Sequence, residues 1–344
     1  MSRIPTTDTR SISQSLLSSK PMLAMSDKRR LALRMADRLE GLCRRGEGLR
    51  YLYGRRAERM RMCGTQVCAA LGGDRVYVIR ANWCKDRLCP LCAWRRSRRN
   101  AAILRRAIAR CVRDRPSGRW IMITLTIPSL QACDLSHGLT CLTRGWDILR
   151  HRRAWQRAII GAARSIEITR NAHSGLYHPH LHAILEVPEE YYSDAYIPHG
   201  QLLEWWIDAQ ESITSIRRTD LRVHIQAIDS PTARGPAEEA SKYVVKGSDL
   251  LVCPDEDLDE IAAAVHGRRL VAYTGTIRKA LAAEGLTDEP DALDADISSL
   301  CATDDLPQYL LRWSAAGSAY YVERRLGDPR SDFELPDFDS PSLD

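Results

Sequence analysis

From His178 to Val187 the chain reads His-Pro-His-Leu-His-Ala-Ile-Leu-Glu-Val. Side chains on a strand alternate between two faces, so His180 and His182 fall on one face and Leu181 and Ala183 on the other. Working outward, Arg164 to Thr169 is a second strand, and Asn171-Ala172-His173-Ser174-Gly175 is the turn between the two. A hairpin centred between His173 and Ser174 sets Glu167 directly opposite His180, on the same face. Further upstream, Trp120 to Ile127 alternates as well. Ile121, Ile123, Leu125 and Ile127 share one face, and Met122, Thr124 and Thr126 the other. Leu221 to Ile228 is a fourth strand. Trp146 to Ala163, Gly200 to Ser212 and Pro236 to Lys246 read as helices. Strand, helix, strand, strand, helix, strand, helix implies an α+β fold, an antiparallel sheet with helices packed on it.

Two imidazoles two residues apart on one strand face can bind one divalent ion. The expected set is His180, His182 and Glu167, with Asp220, Asp229 or His224 as substitutes for the carboxylate. His178 has the same parity and is placed to add a ligand or a hydrogen bond.

Cys84, Cys89 and Cys92 lie close in sequence, with Cys63 and Cys68 upstream. A Cys-x-x-Cys knuckle with distant partners suits a tetrahedral, structural Zn²⁺ site. The fourth ligand is Cys63 or Cys68, and Gly64 favours Cys63 because it permits a tight turn. Arg87, Arg95, Arg96, Arg98 and Arg99 surround this segment and are expected to contact nucleic-acid phosphates.

The segment Glu238-Glu239-Ala240-Ser241-Lys242-Tyr243-Val244-Val245-Lys246 holds a nucleophile. On a helix, Glu239, Tyr243 and Lys246 share one face. A tyrosine is a poor nucleophile at its free pKa near 10, but a lysine and a metal-bound phosphate stabilise the developing charge.

Charge divides the chain of 344 residues. Residues 1–120 sum to +20, residues 121–246 to −1 and residues 247–344 to −13. The basic front implies a polyanion partner. The acidic tail is expected to be loosely ordered in part, and to dock onto the basic front when no nucleic acid is bound. With 44% apolar and 27% charged residues the composition is globular. There is neither a membrane span nor a signal-peptide core, so a cytoplasmic protein is expected. In that compartment cysteines serve as ligands or free thiols rather than disulfides. The expected domains are a disordered lead-in and basic amphipathic helix over 1–57, a zinc-binding basic segment over 58–100, a catalytic domain over 101–250 and a C-terminal extension over 251–344.

The stretches WIMITLTIPSL, YHPHLHAILEV and EEASKYVVKGSDL, in that order, resemble the three motifs of HUH endonucleases. The nearest resemblance is to the plasmid Rep family, rolling-circle replication initiators with a single tyrosine. CKDRLCPLCAWRRSRR and HGRRLVAYTGTIRKAL are similar to further family segments, so the resemblance covers roughly residues 60–285. It implies that His180, His182 and Glu167 bind Mg²⁺ or Mn²⁺. It implies that Tyr243 attacks a phosphodiester of single-stranded origin DNA, leaving a 5′-phosphotyrosine and a free 3′-OH primer. Glu239 would activate water for termination, and Lys246 matches the lysine after the tyrosine. Single- and double-stranded origin DNA, a host helicase and a polymerase are the implied partners. An HUH transposase or relaxase is the alternative within the fold. A non-catalytic zinc-dependent DNA-binding regulator is the alternative outside it.

Overall fold

The computed structural model describes residues 13–45, 52–73, 75–241, 245–286 and 305–327. Tyr243, and with it the nucleophile expected from sequence, lies outside them. The chain forms two compact units, residues 1–95 with 292–344, and residues 96–291.

Among the described residues nine strands form two antiparallel sheets. They are β1 Gln66–Gly72, β2 Arg75–Ala81, β3 Arg119–Thr126, β4 Gly161–Arg170, β5 Tyr177–Val187, β6 Val223–Ala227, β7 Val271–Thr274, β8 Gln308–Ser314 and β9 Ala319–Arg325. The mixed α+β architecture expected from the alternating and helical periods is what the chain adopts.

The first unit carries a sheet of order β2-β1-β8-β9. Two helices, α1 Lys20–Arg45 and α2 Leu52–Met62, pack on each other beside it. Helix α1 begins inside the stretch expected to be disordered. Met22, Met25, Met35, Leu39 and Leu42 are buried along it at helical spacing. On the sheet, Cys68, Ala70, Ile79, Leu310 and Leu326 form a small apolar core. Strands β8 and β9 come from the stretch read as an acidic extension. Its Tyr309-Leu310-Leu311 and Tyr320-Tyr321-Val322 runs have β propensity that the averaged charge conceals.

The second unit carries a sheet of order β6-β3-β5-β4-β7, antiparallel throughout. Its apolar face includes Ile123, Leu125, Leu181 and Ala183, all fully buried. The helices Leu135–Arg150 and His199–Thr214 pack on each other and on this sheet. Trp206 is fully buried, and its indole N–H donates to the Thr126 carbonyl at 2.9 Å. Residues 251–286 belong here too. Strand β7 pairs with β4, and the helix Gly275–Ala283 follows it.

Two helices differ from the sequence reading. The helix expected over Trp146 to Ala163 runs from Leu135 to Arg150, followed by a short helix Arg153–Ala158. Gly161 already pairs with Glu186 as the first residue of β4, so strand pairing overrides helical periodicity there. The helix expected over Pro236 to Lys246 spans Arg234–Glu239 alone. Val245 forms a parallel bridge with Ile168, and Lys246 is extended. Glu239 and Lys246 therefore do not share one helical face.

Candidate active site and cysteine centre

The second sheet has a polar face because its strand register lines up the polar positions. Ser165 on β4, His182 on β5, Thr124 on β3 and His224 on β6 form one row across it. Glu167, His180 and Thr126 form the next row, and Thr169 pairs with His178 in the third. The pairing of Glu167 with His180 is the register expected from the hairpin turn.

Within this face His182 and Glu167 are buried, at 7% and 6% exposure. His182 Nε2 lies 3.1 Å from Glu167 Oε2, and its Nδ1 lies 3.1 Å from Thr124 Oγ1. His180 Nε2 lies 3.1 Å from Thr169 Oγ1. The rings of His178, His180 and His182 follow one another, with centroids 4.5 and 5.9 Å apart. A buried imidazole touching a carboxylate, with a second imidazole beside them, is a donor set that suits a divalent ion such as Mn²⁺. His180, whose Nε2 faces Thr169, would join that set only with this nitrogen turned away from the threonine. Asp220 is exposed and bound to Arg218, and Asp229 and His224 are exposed. Of the acidic substitutes neither is drawn to the histidines as Glu167 is.

The hydroxyls of Thr124, Thr169 and Ser165 were missed as site residues. Their signal was parity for Ser165 and Thr169, which alternate with Glu167 on β4, whereas Thr124 is placed on the histidine face by the register of β3 with β5.

Described residues before and after Tyr243 make defined contacts. Ser97 Oγ donates to the Ser241 carbonyl at 2.6 Å, and Arg98 pairs with Glu238 at 3.8 Å. Beyond the tyrosine, the Val245 bridge reaches Ile168, the neighbour of Glu167. Glu239 is half-buried at its helix end, and Lys246 is exposed.

In the first unit, Cys63, Cys84, Cys89 and Cys92 bring their sulfurs within 4.8 Å of one another, all four buried. Cys63 Sγ is 3.4 Å from Cys92 Sγ and 3.8 Å from Cys89 Sγ, and Cys84 Sγ is 3.6 Å from Cys92 Sγ. Thiolates held about 2.3 Å from one tetrahedral ion have edges of about 3.8 Å, so the cluster can hold a metal such as zinc. The Cys84 amide points at Cys63 Sγ at 3.4 Å. Gly64, at φ +70°, makes the tight turn after Cys63. Cys68 instead sits in the sheet core, its thiol donating to Gln308 Oε1 at 3.1 Å. Contact with Cys63 and the other sulfurs holds the Cys84 thiol well above its usual range, and burial does the same to Cys89. A bound cation opposes both effects because its ligands are thiolates.

The expected arginine set divides. Arg95 is buried, donates to the carbonyls of Val78 and Ile79 at 3.0 Å each, and lies over the Trp83 ring. Arg99 is 3% exposed, and burial lowers its pKa. Both are interior residues, which corrects their assignment to a phosphate-contacting surface. Arg87 and Arg96 are half-buried, and Arg98 is exposed.

Comparison with protein families matches residues 75–321 to the family described as Replication protein. The chain belongs to this family, that of the plasmid Rep initiators. Relatives named "Protein rep" include one from Lactiplantibacillus plantarum, 31% identical over 69% of this chain and 77% of its own length. Another, from Bacillus amyloliquefaciens, is 32% identical over 73% and 79% respectively. A third, from Lentilactobacillus hilgardii, is 28% identical over 80% and 90%. No solved structure matches the chain. The Rep family match takes in three of the four clustered cysteines, the whole second sheet and β8, and it implies binding to origin DNA. Among the described residues no helix is long and apolar enough to cross a membrane.

Proposed function

We propose that this Rep protein is an origin-specific nickase that starts and ends rolling-circle replication. The observation that carries the reading is the contact of Glu167 with His182, with Glu167 opposite His180 in register on one polar sheet face. His180, His182 and Glu167 would hold Mg²⁺ or Mn²⁺, which supplies charge stabilisation at a scissile phosphate. Tyr243 lies two residues before Val245, which bridges to the strand of Glu167. Its phenolic oxygen forms a bond to phosphorus as the bond from phosphorus to O3′ breaks. The phenolic proton ends on O3′, giving a 5′-phosphotyrosine and a 3′-OH primer. Glu239 serves the later hydrolytic release, and Lys246 offsets phosphate charge. Zn²⁺ on Cys63, Cys84, Cys89 and Cys92 has a structural role, because four protein ligands leave no open position. Arg87, Arg96 and Arg98 remain the basic contacts to origin DNA. Rep family membership favours replication initiation over the transposase, relaxase and regulator alternatives.

The test is incubation with supercoiled origin plasmid and Mn²⁺. Wild type is expected to nick one strand and leave a covalent adduct at Tyr243 by mass spectrometry. Tyr243→Phe is expected to bind the origin without nicking it. An undiminished nick from that variant would overturn the reading.

A further inference from the structure

We infer that Thr124 is a positioning residue for the divalent-cation site, its hydroxyl fixing the His182 ring so that Nε2 faces Glu167. This rests on the proposed site at His180, His182 and Glu167. Thr124 stands opposite His182 in the register of β3 and β5, with Oγ1 3.1 Å from Nδ1. The other ring nitrogen lies 3.1 Å from Glu167 Oε2. One hydroxyl thus holds the nitrogen that points away from the carboxylate.

The chemistry of the hydroxyl suits this position. It both donates and accepts, so it can serve either tautomer of the imidazole. When no cation is bound, Nε2–H donates to Glu167 and the threonine O–H donates to Nδ1. When a cation takes the Nε2 lone pair, the proton sits on Nδ1 and Thr124 Oγ1 accepts it. The ring keeps its orientation in both states, and only the hydroxyl hydrogen rotates. Threonine also has a stiff χ1, which limits where that oxygen can go. Valine has the same shape and offers neither function.

The neighbouring threonine sharpens the assignment. Thr126 faces the same side, opposite His180, yet its hydroxyl donates to the Arg222 carbonyl at 3.3 Å and accepts from the Arg222 amide at 3.2 Å. It ties β3 to the segment entering β6. On the far side of His182, Ser165 is 1% exposed and its Oγ has no hydrogen-bond partner among the described residues. His182 is therefore flanked by one hydroxyl that holds it and one that is uncommitted.

The test uses the full-length, zinc-loaded protein and reads Mn²⁺ binding directly, by electron paramagnetic resonance of free Mn²⁺. Thr124→Val is expected to weaken binding about 10- to 100-fold, the usual effect of losing an outer hydrogen bond to a ligating histidine. Nicking by this variant should need more Mn²⁺ and recover at saturation. Thr124→Ser, which keeps the hydroxyl, should stay within about threefold of wild type. Wild-type affinity in Thr124→Val would overturn the role of Thr124, as would a Thr124→Ser variant that loses binding. Should Thr124→Val fail to fold, the serine variant decides. His182→Ala separates the two levels. If wild type binds no Mn²⁺, or His182→Ala binds it as tightly as wild type, the site reading itself falls and the role of Thr124 with it.

Discussion

Residue by residue, the arginines next to the cysteine cluster do different work, although the sequence presents them as one run. Arg95 gives two hydrogen bonds to buried carbonyls and is itself buried. Its removal leaves those carbonyls without a charged donor, and each such bond is worth about 1.5–3 kcal/mol. Arg95→Ala is expected to lower stability by about 3 kcal/mol, read from urea unfolding. Arg98 is half-exposed and pairs with Glu238 at 3.8 Å. Arg98→Ala should change stability by no more than about 0.5 kcal/mol. If Arg98 meets a phosphate, the substitution lowers the slope of log affinity against log salt by about 0.9. Thiol chemistry separates the cysteines in the same way. Burial pushes the thiols of Cys68 and Cys111 up to about 12, whereas Cys133 is exposed. At pH 8 a thiol of that pKa is about 0.01% thiolate, and the thiolate is the reactive form. Iodoacetamide followed by mass spectrometry should label Cys133 well ahead of Cys68 and Cys111 in the folded protein. Rapid labelling of Cys111 would show that its burial beside Glu186 is not maintained.

At the scale of elements, the strands with one polar and one apolar face could be read from the sequence, because alternation reports burial directly. Strands β3 and β5 fall within one residue of the expected bounds, and the turn at Asn171 to Gly175 set the register of Glu167. Strands β1 and β2 lie in a stretch read for its metal-ligand spacing, where Cys68 was weighed as a ligand although it belongs to the sheet core. The helix expected over Pro236 to Lys246 was a spacing argument, and spacing carries no information about Val245 bridging to Ile168 of β4. The turn between β7 and the helix Gly275–Ala283 likewise gave no local signal beyond a glycine. Gly275 adopts φ +58°, and a Cβ there would lie 2.1 Å from the Ile160 carbonyl oxygen. The next residue donates its amide to that oxygen at 3.0 Å. Thr276 also hydrogen-bonds the buried Glu186, which Arg115 meets at 3.0 Å. Gly275→Ala must therefore shift backbone, not a flexible side chain. Its expected effect is a loss of at least about 2 kcal/mol, or about 4–8 °C in Tm for a unit of this size. An unchanged Tm would mean that the β7 edge is not held through this turn.

Over the whole molecule, the division of charge suggested a basic binding front and a separate acidic tail, and the topology of the first unit changes that picture. Strand β8 pairs with β1, which begins three residues after Cys63. Tyr320, between β8 and the chain end, donates its hydroxyl to the Gly64 carbonyl at 2.7 Å, so the far end of the sequence secures the turn after a clustered cysteine. Trp313 lies 5.7 Å from the Arg29 guanidinium, and Arg29 donates to the Met60 carbonyl at 3.0 Å. Removing residues 287–344 therefore cannot test whether the acidic tail docks on the basic front, because it also removes two strands beside the cysteine centre. Two truncations separate these effects. Loss of residues 328–344 removes six acidic residues and one arginine and leaves β8 and β9 in place. This variant should keep one Zn²⁺ per chain by atomic absorption. If the tail screens the basic front, it should also bind DNA more tightly at low salt. Loss of residues 305–344 removes both strands with Tyr320 and Trp313. It should release Zn²⁺ to a chelator far faster than wild type and unfold the first unit at a lower denaturant concentration. If both truncations held zinc equally well, the C-terminal hairpin would be a covering on the cysteine centre and not a part of what holds it together.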